Sequence, residues 1–152
     1  MQDASPPHLQ ITGLAKQFAG GAGVFDVGLT VPAGAITGFI GVNGAGKSTT
    51  LRCIVGLLSP DAGQIQLFGR SADARSRRRI GFLPEERGLF ARDRARDAIA
   101  FYARLHGISR REAYREADRL LERIGLGGRI RDRIGDLSKG NAQRVQILCA
   151  LA

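Results

Sequence analysis

Gly41-Val42-Asn43-Gly44-Ala45-Gly46-Lys47-Ser48-Thr49 satisfies the pattern G-x-x-x-x-G-K-[ST] and follows directly on the apolar run 35–40. That run reads as a buried strand, so strand, loop and helix stand in the order a phosphate-binding loop requires. Gly41, Gly44 and Gly46 let the backbone fold back so that successive N–H groups point at phosphate oxygens, where a side chain would not fit. Lys47 can reach the β- and γ-phosphates as a point charge, and Ser48 can offer its hydroxyl to Mg²⁺. The helix starting there, expected over 47–58, aims the positive end of its dipole at the anion. A glycine-rich turn with a chance Lys-Ser is the competing reading, but four fixed positions in this context favour a nucleoside triphosphate site.

Working outward, the chain from 9 to 83 is rich in Gly, Ile, Val and Thr with few charges. Strand-like runs fall at 9–12, 24–31, 35–40, 64–68 and 80–83, punctuated by Pro32-Ala33-Gly34 and by Ser59-Pro60-Asp61-Ala62-Gly63. From Arg94 the period becomes helical. Ala98, Phe101, Tyr102 and Leu105 form one face of a first helix. Ser109-Arg110-Arg111-Glu112 reads as a capping box, opening a second helix with the stripe Ala113, Ala117, Leu120, Leu121 and Ile124 before Gly125 and Gly127 stop it. The predicted fold is α/β: one domain, 1–152, with a sheet and phosphate-loop region over 9–83, a helical part over 91–137 and a last helix over 138–152.

Bulk properties narrow the functions. With 152 residues and 43% hydrophobic content the chain can build one real core, and no apolar stretch is long enough to cross a membrane. Nothing near the N-terminus reads as a secretory signal, so a soluble cytoplasmic domain is expected. Cys53 and Cys149 are too few for a disulfide framework or zinc site and read as small buried hydrophobes. The net charge of +9 lies entirely after Phe68, because Lys16, Lys47 and Arg52 balance Asp3, Asp26 and Asp61 before it. A cluster such as Arg75, Arg77, Arg78 and Arg79 reads as solvated surface or a nucleic-acid patch; no aromatics interleave it, which disfavours the patch. His8 and His106 have no ligand-spaced partners.

Asp136-Leu137-Ser138-Lys139-Gly140-Asn141 precedes a helix-like run to the last residue. Ser138 is a good N-cap, and a helix beginning there presents a hydroxyl and unpaired N–H groups, a second anion site of the same physical kind as the first. Alone this is an ordinary capped helix; its position gives it weight.

A phosphate loop, then Gly81-Phe82-Leu83-Pro84-Glu85, then helices, then Leu-Ser-x-Gly before a helix resembles the ATP-binding domain of ATP-binding cassette (ABC) transporters over 9–152. The resemblance implies a P-loop NTPase sheet core with an N-terminal antiparallel β portion and a helical subdomain. It implies ATP bound by Gly41, Asn43, Gly44, Ala45, Gly46, Lys47, Ser48 and Thr49, with Mg²⁺ on Ser48 and Glu85. Lys47 and Glu85 are the implied catalytic residues. Glu85 stands where the family usually has a glutamine contacting Mg²⁺ and attacking water, and a carboxylate can still serve that hard cation. Leu137, Ser138, Lys139, Gly140 and Asn141 correspond to the signature Leu-Ser-Gly-Gly-Gln, which closes over the γ-phosphate on the partner subunit of a head-to-tail dimer; Lys139 and Asn141 depart from it. Phe18 occupies the place of the aromatic residue that stacks on adenine, and a core Phe fits it equally.

Pro84-Glu85-Glu86-Arg87-Gly88-Leu89 looks like a subgroup of ABC-2-type exporters that includes sodium-efflux ATPases. A cytoplasmic-face ATPase subunit driving export with a transmembrane permease is therefore expected. Soluble ABC ATPases acting on ribosomes or DNA, and a non-catalytic nucleotide-binding fragment, are the alternatives. The family's acidic strand, ending in Asp-Glu, and its switch histidine are not found here, so a chain truncated before them and inactive by itself is expected, with the C-terminal part of the core missing. Gly88, Leu89 and Phe90 either face the permease or fold into the domain's own core.

Overall fold

The computed structural model describes residues 5–84 and 88–152. It divides into two units, Met1–Ile80 and Gly81–Ala152.

The first unit is built on a four-stranded antiparallel sheet of order β2-β1-β3-β4: β1 is Leu9–Gln17, β2 Gly23–Val31, β3 Ala62–Leu67 and β4 Arg70–Ser71. Ile65 and Leu67, two apart on β3, and Ile11 and Leu14, three apart across a register shift in β1, enter a core closed by Cys53 and Ile54 of α1, Lys47–Ile54. Between Thr12 and Ala15 the β1–β3 register shifts. There Gly63, at φ 85°, lies against Gly13 and Leu14 too closely for any Cβ. Phe68 and Gly69 both take positive φ between the paired Leu67 and Arg70, the two-residue hairpin geometry that matches strand twist.

Helix α1 ends four residues before its apolar spacing suggests. Gly56 at φ 81° reverses the chain, its N–H donating to Cys53 O at 3.2 Å and that of Leu57 to Arg52 O at 2.9 Å. Arg77, the last residue of the short α2 (Ala74–Arg77), seals this end, its Nε donating to Ile54 O at 3.2 Å. The sequence reading had placed Arg77 on a solvated face. Arg79 lies 3.8 Å over the Phe68 ring.

Two predicted strands do not form. Residues 35–40 have no ladder partner among the described residues, and Ile36 and Ile40 are almost wholly exposed. Residues 80–83 likewise have no ladder partner among the described residues. A strand exists only where a neighbour takes its N–H and C=O groups, and apolar composition cannot supply that neighbour.

The second unit packs α3 (Ala95–Leu105), α4 (Arg110–Arg123) and α5 (Lys139–Leu151) around Ile99, Leu121, Val145 and Leu148. Ala113, Ala117, Leu120 and Leu121 of the α4 stripe are buried as expected, Ile124 is a partly buried C-cap, and Gly125 at φ 75° follows it. Ser109 caps it by accepting from Glu112 N at 3.3 Å, but the Glu112 carboxylate accepts from the Ser109 hydroxyl, so only half of the expected capping box forms. The expected α3 face is corrected: Phe101 and Leu105 are exposed, while Ala95, Ala98, Ile99 and Ala103 are buried. Small side chains let α3 lie close to Ala113 and Ala117 of α4, so burial goes to the alanine stripe. Arg96 and Asp118 clasp the two helices, with Nε–Oδ1 and Nη2–Oδ2 both at 2.6 Å.

Candidate functional site

The segment 41–49 forms a closed loop. Ala45 N donates to Val42 O at 3.1 Å, and Gly44 and Gly46 hold φ of 85° and 84°. Only glycine takes such angles without strain, and Gly46 also lies against Val24 of β2 too tightly for a Cβ. Lys47 begins α1 and turns back, its Nζ donating to Gly41 O at 2.6 Å and Val42 O at 2.8 Å. The ammonium is thereby held in the mouth of the loop, with one donor to spare.

Gly46 gives α1 no side-chain cap. The first turn closes only at Thr50, whose N–H and hydroxyl both donate to Gly46 O, at 2.9 and 3.0 Å. The N–H groups of Lys47, Ser48 and Thr49 have no protein acceptor among the described residues, and no acidic side chain stands in that turn. These three donors, the dipole and the Lys47 charge make an anion cradle. The Ser48 hydroxyl is exposed beside it.

Phe18 sits in the β1–β2 connection, one residue past the Gln17–Gly23 pair and at the end of β2 that carries Val24. It is 41% exposed, so it is not a core residue. Val24 ties that end of the hairpin to Gly46.

In the second unit Ser138 caps α5, its Oγ accepting from Asn141 N at 3.3 Å. Ser138, Lys139 and Gly140 are exposed while Leu137 is buried, and nothing lies near the Gly140 Cβ position. The N–H groups of Lys139 and Gly140 have no protein acceptor among the described residues. The approach is fixed by Ile134 N donating to Asp93 O at 2.8 Å and Gly135 N to Ala91 O at 2.9 Å. This is a second uncovered helix start, held by backbone stitching to the segment before α3.

Glu85 lies outside the described residues. Its neighbour Pro84 accepts a long hydrogen bond, 3.4 Å, from Gln146 Nε2 of α5, and Gly81 is pressed against the Ala150 carbonyl. The sequence reading gave Gln146 no role; a Gln flanked by Val145 and Ile147 on a core-facing helix was the available signal. The loop residues divide as well, with Leu89 partly buried on the helical core and Phe90 77% exposed.

A Gly-Lys-Ser cradle on an antiparallel sheet and a separate unit presenting a Ser-capped helix define a nucleotide-binding domain of the P-loop class. The ABC transporter family profile matches residues 24–152. The chain belongs to the ABC transporter family, whose members are ATP-binding transport ATPases, and the fold is that of its ATPase domain.

The uncharacterized ABC transporter ATP-binding protein YhaQ of Bacillus subtilis is 39% identical over 143 residues, 94% of this chain and 48% of that protein. The methionine import ATP-binding protein MetN of Rhizobium johnstonii is 35% identical over 156 residues, 98% and 43% of the respective lengths. Among solved structures, cbiO1 from Clostridium perfringens, part of the ABC transporter complex cbiONQ, superposes with a TM-score of 0.82 at 24% identity, over 96% of this chain and 61% of that one. The chain spans about half the length of the curated relatives it matches.

Proposed function

We propose that the chain is the ATP-holding portion of an ABC transporter ATPase subunit, in which ATP-driven closure of two subunits moves a transmembrane permease in the direction of export. The observation that carries this reading is the Lys47 ammonium already lodged in the loop, beside three first-turn N–H groups without protein acceptors. On arrival of a triphosphate, Lys47 exchanges two neutral carbonyls for charged phosphate oxygens, and the first-turn amides bind the same anion. Phe18, exposed at the hairpin end, offers a stacking face for adenine.

Magnesium fits in part. The exposed Ser48 hydroxyl is one hard oxygen ligand, and Mg²⁺ commonly takes its others from phosphates, water and one or two carboxylates, for which Glu85 is the candidate. When bound, the ion would neutralise charge on the transferring phosphate. Among the described residues no group of three or more His, Cys, Asp or Glu is placed to hold a metal.

Ser138, Lys139 and Gly140 act on a nucleotide held by another subunit's Lys47, and their exposure with two free N–H groups supports that role. The exposed Phe90 suits contact with a permease on the cytoplasmic face of the membrane. No helix among the described residues is long and apolar enough to cross the membrane itself. Export rests on the Pro-Glu-Glu-Arg-Gly-Leu stretch, while the relatives include MetN, named as an import ATP-binding protein and 35% identical over 156 residues. The arginine-rich half does not favour nucleic acid, since Arg77 is turned into the fold onto Ile54 O and no aromatic residues alternate with the arginines of 75–79.

Two measurements test the proposal. Lys47→Ala should weaken binding of a fluorescent ATP analogue by an order of magnitude or more; unchanged affinity would remove the phosphate-loop assignment. In the full-length protein, pairing one Ser138→Arg subunit with one Lys47→Ala subunit puts both lesions in one composite site and leaves the other intact. Mixtures as inactive as either mutant homodimer would refute action across the subunit boundary.

A further inference from the structure

Away from the phosphate loop, the β3–β4 hairpin and α2 enclose a recess of about 410 Å³. Its wall carries Arg70, Arg75 and Arg79, with Ser71 and Ser76. None of the three arginines is ion-paired among the described residues. The one acidic group in the wall, Asp73, is occupied locally: it accepts from Ser76 N at 2.6 Å, which holds its carboxyl below the usual range. The recess therefore keeps an excess of two positive charges, three guanidinium groups against one carboxylate.

Two of these elements are set before any ligand arrives. The Phe68–Gly69 turn fixes the hairpin tip, and the Arg79 guanidinium carbon lies over the Phe68 ring, 3.8 Å from its centroid. Stacking uses the face of a guanidinium and leaves the N–H edge free to fork onto an oxyanion. Arg77, which might have competed for the same anion, is turned away to the end of α1.

We infer that this recess is a second anion site, taking a terminal phosphate group, carried either by a soluble phosphomonoester or by the headgroup of an anionic phospholipid. Three forked guanidinium groups lining one recess match a dianionic phosphate better than a carboxylate, which offers fewer acceptor oxygens. It is distinct from the nucleotide cradle: it uses no residue of 41–49 and survives if the ATP reading fails.

The test is a titration of the isotope-labelled full chain with glycerol 3-phosphate, following arginine side-chain Nε–H signals and loop amides together by NMR. Saturable shifts at Arg70, Arg75 and Arg79 are expected, with at least a tenfold loss of affinity in Arg75→Gln/Arg79→Gln and loop-amide responses unchanged. Shifts that sodium chloride reproduces at equal ionic strength, or a double variant that binds like the parent, would overturn the inference. Vesicles of phosphatidylcholine with phosphatidic acid distinguish the sources. Sedimentation with them that depends on Arg75 and Arg79 and resists glycerol 3-phosphate identifies the headgroup; displacement by the soluble ester identifies a soluble ligand. Should the double variant unfold, Arg70→Gln alone must still lower affinity severalfold.

Discussion

Gly46→Ala puts the loop geometry to a quantitative test. At φ 84° a Cβ costs about 1–2 kcal/mol through its clash with the following carbonyl. The new methyl would also fall far inside the 3.0 Å that real Cβ atoms respect around Val24, whose own Cβ would be 3.4 Å away. Val24 is buried in β2, so it cannot swing aside, and such overpacking costs about 1–3 kcal/mol. The stiffer unfolded chain offsets about 0.4–1 kcal/mol. The net is a destabilisation of about 1–4.5 kcal/mol, centred near 3. Val24→Ala removes the colliding methyl at its own cost of about 2 kcal/mol, so the double variant should be more stable than the sum of the singles by about 1–3 kcal/mol. Urea unfolding followed at the amides of Leu14 and Ile65 reports on the right core; tyrosine emission does not, since Tyr102 and Tyr114 both lie in the second unit. Single costs that add to within about 0.5 kcal/mol would show that Gly46 and Val24 do not touch.

Two other consequences follow from titratable groups. Lys16 Nζ, at 2.7 Å, and then Gln17 N, at 2.8 Å, hold the Asp61 carboxyl below its usual 3.8. Its stabilising contribution is therefore full above that value and lost as pH falls through the lower folded one, so Asp61→Asn should flatten the acid limb of a thermal-stability profile, and an unchanged limb would discount the contact. Burial pushes the Cys149 thiol up to about 12, so at pH 8 iodoacetamide should leave it unmodified until denaturant is added; prompt native labelling seen by mass spectrometry would contradict its place in the helical core.

What the sequence disclosed was local chemistry. Gly44 and Gly46 at positive φ, Lys47 at the helix start and Ser138 as the α5 cap depend on neighbours within a few residues, and each stands where spacing put it. The α4 stripe was legible for the same reason, since its period of 3.6 is a property of one helix. Strand status at 35–40 depends on a partner, which no property of those six residues encodes. The α3 face was misread because Phe101 and Leu105 draw attention by size, while close helix packing selects Ala95, Ala98 and Ala103. Arg77 could not be separated from its three arginine neighbours, because only the tertiary fold brings Ile54 O within reach.

The phosphate loop keeps its shape although the run leading into it has no ladder, and the contacts explain how. Support comes from the far side: Gly46 against Val24, Thr50 folded onto Gly46 O, and the α1 C-terminus closed by Gly56 and Arg77. On the near side Ala45 N ties to Val42 O and Lys47 bridges to Gly41 and Val42, so the Lys47 side chain is both an internal tie and the charge offered to the proposed ligand. On the proposed reading, a phosphate would displace two carbonyls from the ammonium before it gained the ion pair, and the net benefit would be the difference between charge-assisted and ordinary hydrogen bonds. That exchange couples occupancy to backbone position. On the proposed reading, release of Gly41 and Val42 by Lys47 would remove a tie between α1 and the residues just after 35–40, the segment in which Ile36 and Ile40 lie exposed.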